Sequence, residues 1–231
     1  MFPISSINYQ YFLTEKILYV KLIAHVKVPP MGTKYFYIIF LLIGSMLIEA
    51  RPISYSGGAT LMLKSNEIQN STYYHYSPTY KYSVGIESVH NQYFKEDYLY
   101  YRITYLMNRK NTTNSQRNLY LQSGISSAGL DHNFYGVHGD WETRRLFSGF
   151  GYKVTHTQTL DYAEQFLQLG VAPYIGEYGD MHTWLMVKSR HNELIGGWNT
   201  YPVLKFFKGN ALVEFGYSDT SNWDIHLMYR F

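Results

Sequence analysis

The stretch "NWDIHLMYRF", residues 222–231, decides the fold, because its side chains alternate in character along its whole length. The odd-numbered positions are all apolar or aromatic: Trp223, Ile225, Leu227, Tyr229 and Phe231. The even-numbered positions are mostly polar or charged: Asn222, Asp224, His226, Met228 and Arg230. Successive side chains of a strand point to opposite faces, so this period of two predicts a β-strand with one apolar and one polar face.

The same alternation recurs along most of the sequence, as in "YKYSVGIE" (80–87), "LYYRITYLM" (99–107), "NLYLQSGI" (118–125) and "ALVEFGY" (211–217). Segments rich in Asn, Asp, Gly and Ser separate these runs and are typical of turns. We therefore predict an all-β fold of about ten strands, with about eight or about twelve as alternatives.

Tyrosine dominates the composition, since 25 tyrosines exceed the 20 lysines and arginines combined. Aromatic residues make up 18% of the chain and charged residues only 16%, against an average charged share of about 25%. Tyrosine has an apolar body and a polar tip, which suits a boundary between lipid and water. The net charge of +3 and the lack of a Lys/Arg block predict no nucleic-acid binding. The absence of cysteine excludes disulfides and thiolate chemistry.

The two faces of the predicted strands differ in size as well as in polarity. Bulky apolar side chains occupy one face, whereas the other carries small or polar residues, including Gly85, Gly124 and Gly216. Bulky apolar residues toward lipid and small or polar ones toward a lumen are typical of a transmembrane barrel. Closure also removes the unpaired strand edges that lipid does not tolerate. We predict a closed antiparallel transmembrane β-barrel over residues 51–231, with a soluble secreted all-β protein as the alternative.

A secretory signal peptide is predicted over residues 31–50. A methionine and a lysine precede the apolar run "YFYIIFLLIGSMLI" (35–48), and Ala50 stands at a plausible cleavage position. The run is too short for a comfortable transmembrane helix, which needs about 20 residues. Residues 1–30 are then expected to come from an upstream start, with a genuine N-terminal extension as the alternative.

These features together resemble bacterial outer-membrane β-barrel proteins, in pattern over the whole of residues 51–231. In that family the final strand ends in phenylalanine or tryptophan and is read by the barrel assembly machinery, a signal that Phe231 and Tyr229 match. The stretches "HYSPTYKYSVG" (75–85) and "GVAPYIGEYGDMHTWLM" (170–186) also resemble segments of uncharacterised proteobacterial outer-membrane proteins. The resemblance implies the outer membrane of a Gram-negative bacterium, with membrane lipid, lipopolysaccharide and the assembly machinery as partners.

Two stretches combine histidine with carboxylates, as a general base oriented by an acid requires. The candidate catalytic residues are Asp131 and His132 in "GLDHNFYGVHGDWE" (129–142) and Asp180 and His182 in "EYGDMHTW" (177–184), with His138, Asp140 and Glu177 beside them. With about ten strands and both termini periplasmic, both stretches fall on the periplasmic rim. No GxSxG nucleophile motif is present, and Asp and His are common turn residues, so a structural role at the rim is favoured over catalysis.

Two further groups are predicted at inward-facing positions. A candidate metal set, whose imidazole and thioether ligands would suit copper(I), lies on neighbouring strands of a closed barrel: Met62, His75, His226 and Met228. Ordinary filling of the lumen is the alternative for these four. A network of opposite charges, expected to pair because buried charges need partners, comprises Lys81, Glu87, Arg102, Glu214, Asp224 and Arg230.

The sequence therefore predicts an integral outer-membrane barrel with a structural or surface-interaction role and no cofactor. A barrel of about ten strands has an interior mostly occupied by side chains, so we expect a lumen filled by polar residues. The alternatives are a narrow channel for small solutes or metal ions, and an enzyme that modifies lipid or peptide at the rim.

Overall fold

The computed structural model describes residues 53–176, 180–220 and 222–231, whose twelve strands form one antiparallel sheet closed into a barrel. The predicted signal peptide (31–50) and residues 1–30 lie outside the described residues. The strands are β1 (Gly58–Ser65), β2 (Gln69–Thr79), β3 (Tyr82–Asn91), β4 (Glu96–Asn111), β5 (Ser115–Ser126), β6 (Gly129–Thr143), β7 (Leu146–His156), β8 (Tyr162–Val171), β9 (His182–Asn192), β10 (Trp198–Lys208), β11 (Ala211–Ser218) and β12 (Asn222–Arg230). Within the described part of the chain, no helix is long and apolar enough to cross a membrane.

The barrel closes where β12 pairs antiparallel with β1. Six residue pairs hold this seam, from Thr60 opposite Arg230 to Ser65 opposite Ile225. Every other strand pairs with its neighbours in sequence, so each strand has two partners. The backbone donors and acceptors of an open sheet edge are thereby satisfied, and the prediction of a closed antiparallel all-β barrel is confirmed.

The twelve strands exceed the favoured estimate of about ten, because the sequence pattern misses β2 and β6. Residues 66–73, interpreted as a loop, contain the first part of β2, which returns to β3 through a two-residue turn at Tyr80 and Lys81. The run "ETRRLFSGFGYKV" (142–154), interpreted as one strand, is broken by a turn at 144–145. Neither turn contains Gly, Pro or Asn at its tip, so the usual signals of a hairpin are absent.

The two additional strands change which connections share an end of the barrel. We call the end where β1 begins and β12 ends the proximal end, and the opposite end the distal end. The proximal connections are 80–81, 112–114, 144–145, 172–181 and 209–210. The distal connections are 66–68, 92–95, 127–128, 157–161, 193–197 and 219–221. Asp131 and His132 therefore lie near the distal end and Asp180 and His182 near the proximal end, so the prediction that both groups share one rim is wrong.

The outward face of the barrel is largely apolar, and its aromatic side chains lie in the middle, as at Tyr101 and Phe150, as well as near both ends. Exposed aliphatic side chains in the middle of strands include Leu63, Ile86, Ile103, Leu121, Leu167 and Leu185. Outward aromatic side chains lie near the distal end at Trp198, Tyr217 and Trp223, and near the proximal end at Tyr76, Tyr105 and Trp141. Among the described strands, outward charges fall in the first or last three residues of a strand, as at Lys110, Arg117 and Lys208 proximally and Asp97 and Asp131 distally.

Two inward-facing glycines make room for aromatic rings along the lumen wall. Gly124 lies opposite Phe134 on the neighbouring strand, and Gly151 lies opposite Phe166. A Cβ atom on either glycine would lie 2.3 Å from the facing ring, closer than real contacts allow. Each ring therefore packs over the backbone of the adjacent strand, a known way to stabilise glycines in sheets.

Candidate functional site

A cavity of about 740 Å³ occupies the lumen. Its lining includes residues from four proximal connections, among them Asn114, Arg144, Gly176 and Gly209, whereas Asn66 is its one lining residue from a distal connection. The cavity thus opens toward the proximal end. The prediction of a filled lumen is corrected here, because twelve strands enclose a wider interior than about ten would.

The distal end of the lumen is closed by side chains that reach across it. The Asn91 amide nitrogen on β3 donates to the Tyr162 hydroxyl on β8 at 3.5 Å, and the Phe94 ring lies 6.2 Å from the Tyr162 ring. The β1–β2 connection also folds inward, because Ile68 at its end is only 1% exposed. Since β3 and β8 stand on nearly opposite walls, these contacts bridge the lumen near its distal end.

Four carboxylates on the cavity wall are each bound by a cation, in pairs that are at most 19% exposed. The pairs are Arg102 with Glu87 (2.7 Å), Arg190 with Glu164 (2.7 Å), Lys188 with Asp224 (2.5 Å) and Lys205 with Glu214 (3.2 Å). Neighbouring polar side chains add hydrogen bonds to three of these pairs. Arg102 donates to Gln122, Tyr201 donates to Asp224, and Asn192 donates to Glu164. Glu67 lies 3.9 Å from Arg190. The buried charges are thus compensated in pairs, as a region of low dielectric requires.

Two lysines that line the same cavity are not bound to a carboxylate in this way. Among the described residues, neither Lys64 nor Lys153 makes a hydrogen bond or an ion pair, although both line the cavity. The Lys153 Nζ lies 5.8 Å from the centre of the Phe134 ring. Lys64 belongs to β1 and Lys153 to β7, which stand on opposite walls of the twelve-stranded barrel. Their ammonium groups therefore enter one enclosed space without a carboxylate bound to either.

The paired cations also lie over aromatic rings. The distances from cationic group to ring centre are 4.4 Å for Arg102 over Tyr73, 4.3 Å for Lys205 over Phe147 and 5.5 Å for Lys188 over Phe166. Such contacts favour the charged form of the cation and fix its position against the wall. The cavity consequently presents cations and aromatic surfaces side by side.

Only some members of the charge network predicted for the lumen lie on the cavity wall. Four of its members line the cavity: Glu87, Arg102, Glu214 and Asp224. Arg230 is 2% exposed and lies opposite Thr60 at the closing seam. Lys81 instead lies exposed in the turn between β2 and β3, because β2 already ends at Thr79, so its predicted place in the lumen is wrong.

The predicted metal set is spread over three inward rows of the barrel. Met62 and Met228 lie directly opposite each other across the seam and belong to one buried apolar cluster. His75 pairs in register with Thr60, whereas His226 pairs with Lys64, four residues farther along β1. Four strand residues span about 13 Å, so the two histidines are not brought to one ion. His226 instead contacts a glutamate on β11 at 3.6 Å.

The distal histidines of the predicted catalytic set do not form an acid–base pair with their neighbouring carboxylates. Asp131 and His132 are adjacent in β6 and point to opposite faces, so that Asp131 is exposed while His132 is 8% exposed. The His132 ring lies 5.2 Å from the Tyr98 ring. His138 stacks on Tyr120 at 5.8 Å between ring centres. These imidazoles pack as parts of an aromatic wall.

The proximal members of that set lie at the mouth of the cavity. Asp180 and His182 both line it, and the His182 ring lies 6.3 Å from the Phe207 ring. Asp140 also lines the cavity and accepts a hydrogen bond from an asparagine side chain on β5 at 2.7 Å. Glu177 lies outside the described residues. The mouth is therefore polar, with acids and imidazole at its rim.

The sequence analysis misses several charged side chains that line the cavity, among them Lys64, Lys153, Glu164, Lys188, Arg190 and Lys205. Strand parity is the signal that identifies them. Lys64 follows inward-facing Met62 by two residues, and Lys188 follows inward-facing Met186 by two. Counting each strand by twos from a buried residue would have placed these lysines in the lumen.

No protein-family model and no curated protein sequence matches this chain. A solved structure reported as "Unveiling the Mechanism Behind the in-meso Crystallization of Membrane Proteins" aligns with a TM-score of 0.45 and 9% sequence identity. The alignment covers 76% of this chain and 83% of that one. At this level, the similarity supports no statement about what either chain does.

Proposed function

We propose that the chain is an integral outer-membrane β-barrel whose lumen is a blind polar cavity rather than an open pore. The outward face carries this proposal, because exposed apolar and aromatic side chains, without charges in the middle of the strands, are how membrane barrels meet lipid. Leu63, Leu227 and Val213 lie opposite one another across β1, β12 and β11, so the band continues over the closing seam. A soluble monomer rarely exposes an apolar surface of this extent.

The charges at the two rims support the same proposal. The proximal turns and strand ends carry mostly basic residues, beside Glu142 and Asp180: Lys81, Lys110, Arg117, Arg144, Arg145 and Lys208. The distal turns and strand ends carry mostly acidic residues, beside Lys95: Asp97, Asp131, Asp161, Glu193 and Asp219. Charges kept to the two ends leave the middle of the outer surface free for hydrocarbon, and place ionic groups at the height of lipid headgroups.

The proposed partners are outer-membrane lipid, lipopolysaccharide and the barrel assembly machinery. In the outer-membrane barrels that the sequence resembles, both termini face the periplasm, so the proximal opening would face the periplasm here. Phe231 is 53% exposed, and its ring lies 5.0 Å from that of Tyr229. Two accessible rings at the end of β12 fit the proposed assembly signal. The blind lumen favours a structural or binding role over conduction.

Membrane fractionation with a gel-shift assay tests the proposal. The full chain, expressed in a Gram-negative host, is expected in the outer-membrane fraction. It is also expected to migrate differently on a gel before and after boiling, because closed barrels resist unfolding by detergent until they are heated. A chain that stays in the soluble fraction and shows no shift on boiling would refute membrane insertion.

The orientation can be tested separately, because the natural chain contains no cysteine. Lys81→Cys places a thiol in a proximal turn, and Asp219→Cys places one in a distal turn. A maleimide that cannot cross membranes is expected to label only the distal thiol on intact cells, and both thiols after permeabilisation. Labelling of only the proximal thiol on intact cells would reverse the proposed orientation.

A further inference from the structure

We infer that the cavity binds a small organic anion in which a doubly charged group adjoins an apolar body, held between Lys64 and Lys153. The shared chemistry is that of a phosphate monoester or a dicarboxylate. Because the cavity belongs to the barrel itself, this binding goes beyond the proposed membrane role and does not depend on where the barrel resides.

Neither lysine has a carboxylate of its own on the wall. Each nearby carboxylate already holds a different cation, and Glu87, the acid whose charge acts on both lysines, is bound to Arg102 at 2.7 Å. The positive charges of Lys64 and Lys153 repel each other across the lumen. An enclosed ammonium without a partner is costly, so a bound anion would remove a real penalty.

The position of the lysines selects a ligand with two negative charges. They project from opposite walls into one cavity, and we expect one doubly charged group between them to contact both ammonium groups. A metal cation is disfavoured beside two ammonium groups. In addition, the described residues contain no group of three or more His, Cys, Asp or Glu that could hold a metal ion.

The remaining wall fits an apolar body. Aromatic and thioether side chains line the cavity between the charged pairs: Met62, Tyr73, Phe134, Phe166, Trp184 and Met228. Its volume of about 740 Å³ lies within the range of about 300–1,000 Å³ that is typical of small-molecule sites. A body of one or two rings, or a short acyl chain, would enter by the proximal mouth and stop at the closed distal end.

The test uses 1-naphthyl phosphate as the probe, titrated by calorimetry into the full chain purified in a neutral detergent. We expect saturable binding to one site, weakened by salt, and no comparable binding of neutral 1-naphthol. Lys64→Met and Lys153→Met remove the charge while keeping the length of the side chain. Each is expected to weaken binding by about tenfold or more, since hydrogen bonds to charged groups contribute that much.

The matched controls are Lys81→Met and Lys208→Met, because these lysines belong to the proximal rim and do not line the cavity. Both are expected to bind the probe as the parent does. Lys153→Arg keeps the charge and should retain most of the affinity, which separates a charge effect from misfolding. Retention of the gel shift on boiling confirms that each variant still forms the barrel.

Inorganic phosphate and a vesicle-borne phosphatidic acid serve as competitors, and they distinguish free anions from lipid headgroups as the source of the ligand. Displacement by phosphate alone would assign the site to soluble anions, and displacement by the lipid would assign it to headgroups. The inference is overturned if the parent does not bind 1-naphthyl phosphate at millimolar concentration, or if the Lys64→Met/Lys153→Met variant binds it as tightly as the parent.

Discussion

Neutralising Glu87 is expected to destabilise the barrel far more than neutralising a lysine beside it. The Glu87 side chain is 6% exposed, and it is the acid that holds Arg102 at 2.7 Å while also attracting Lys64. Glu87→Gln keeps the shape of the side chain but removes the acid that binds Arg102 and attracts Lys64 and Lys153. Lys64→Met has the opposite effect, because it removes a cation that is bound to no carboxylate.

The expected magnitudes follow from burial. Removing one partner of a buried ion pair costs about 3–5 kcal/mol, so Glu87→Gln should lower the free energy of unfolding by about that amount. Lys64→Met should change it by less than about 1 kcal/mol, or raise it. In the double variant, Lys64→Met should restore about 1–2 kcal/mol, within the coupling usual for interacting sites.

The assay is equilibrium unfolding by urea in phospholipid vesicles, followed by tryptophan fluorescence. Asp97→Asn is the control, because Asp97 also has a side-chain partner, the His90 imidazole at 2.8 Å, but its own side chain is 83% exposed. An exposed pair contributes less than about 1 kcal/mol, so this variant should unfold nearly as the parent does. The reasoning fails if Glu87→Gln is no more costly than Asp97→Asn, or if adding Lys64→Met makes Glu87→Gln worse.

Two further predictions concern packing and closure. Gly124→Ala is expected to cost about 1–3 kcal/mol in unfolding free energy, because its Cβ would lie 2.3 Å from the Phe134 ring. Gly149→Ala is the control and should cost less, because its Cβ would have its nearest neighbour at 3.2 Å. A larger loss of unfolding free energy for Gly149→Ala than for Gly124→Ala would argue against the packing of rings over glycines. In planar bilayers the purified barrel is expected to show no discrete conductance steps, since Asn91 and Tyr162 bridge its distal end. Regular steps from the parent protein would contradict a blind cavity.

The sequence pattern predicted the closed barrel because alternation is a local property of each strand. In residues 222–231 the inward and outward sets can be told apart without knowing any neighbour, and their sides are as predicted for Asp224 and Leu227. The number of strands was harder to predict, because it depends on turns that carry no glycine, proline or asparagine at the tip.

Those turns are encoded by the residue at the end of the preceding strand. Thr79 accepts a hydrogen bond from the backbone of Lys81 at 3.2 Å, and Thr143 accepts one from the backbone of Leu146 at 2.8 Å. Similar caps follow other strands, at Asn66, Asn91, Thr112, Ser126, Thr157, Asn192 and Ser218. A short polar residue closing an alternating run is therefore the signal that would have revealed β2 and β6.

The candidate site could be predicted only in part, because it depends on which strands face each other. Strand parity is enough to place Lys64 and Lys153 in the lumen. Their opposition follows only from a barrel of twelve strands, in which β1 faces β7. Whether a lumenal charge is paired depends on the lengths and positions of side chains on different strands, as in the contact between Lys188 and Asp224 at 2.5 Å.

The proposal that the outer surface faces lipid is tested most directly by a matched pair of arginine substitutions. Leu167 and Leu146 both point outward and are both 49% exposed, but Leu167 lies in the middle of β8 and Leu146 begins β7 beside the proximal turn. For the barrel in phospholipid vesicles, Leu167→Arg should lower the unfolding free energy by about 2–4 kcal/mol and Leu146→Arg by about 0–1 kcal/mol. Equal costs for the two substitutions would contradict a barrel embedded in a membrane.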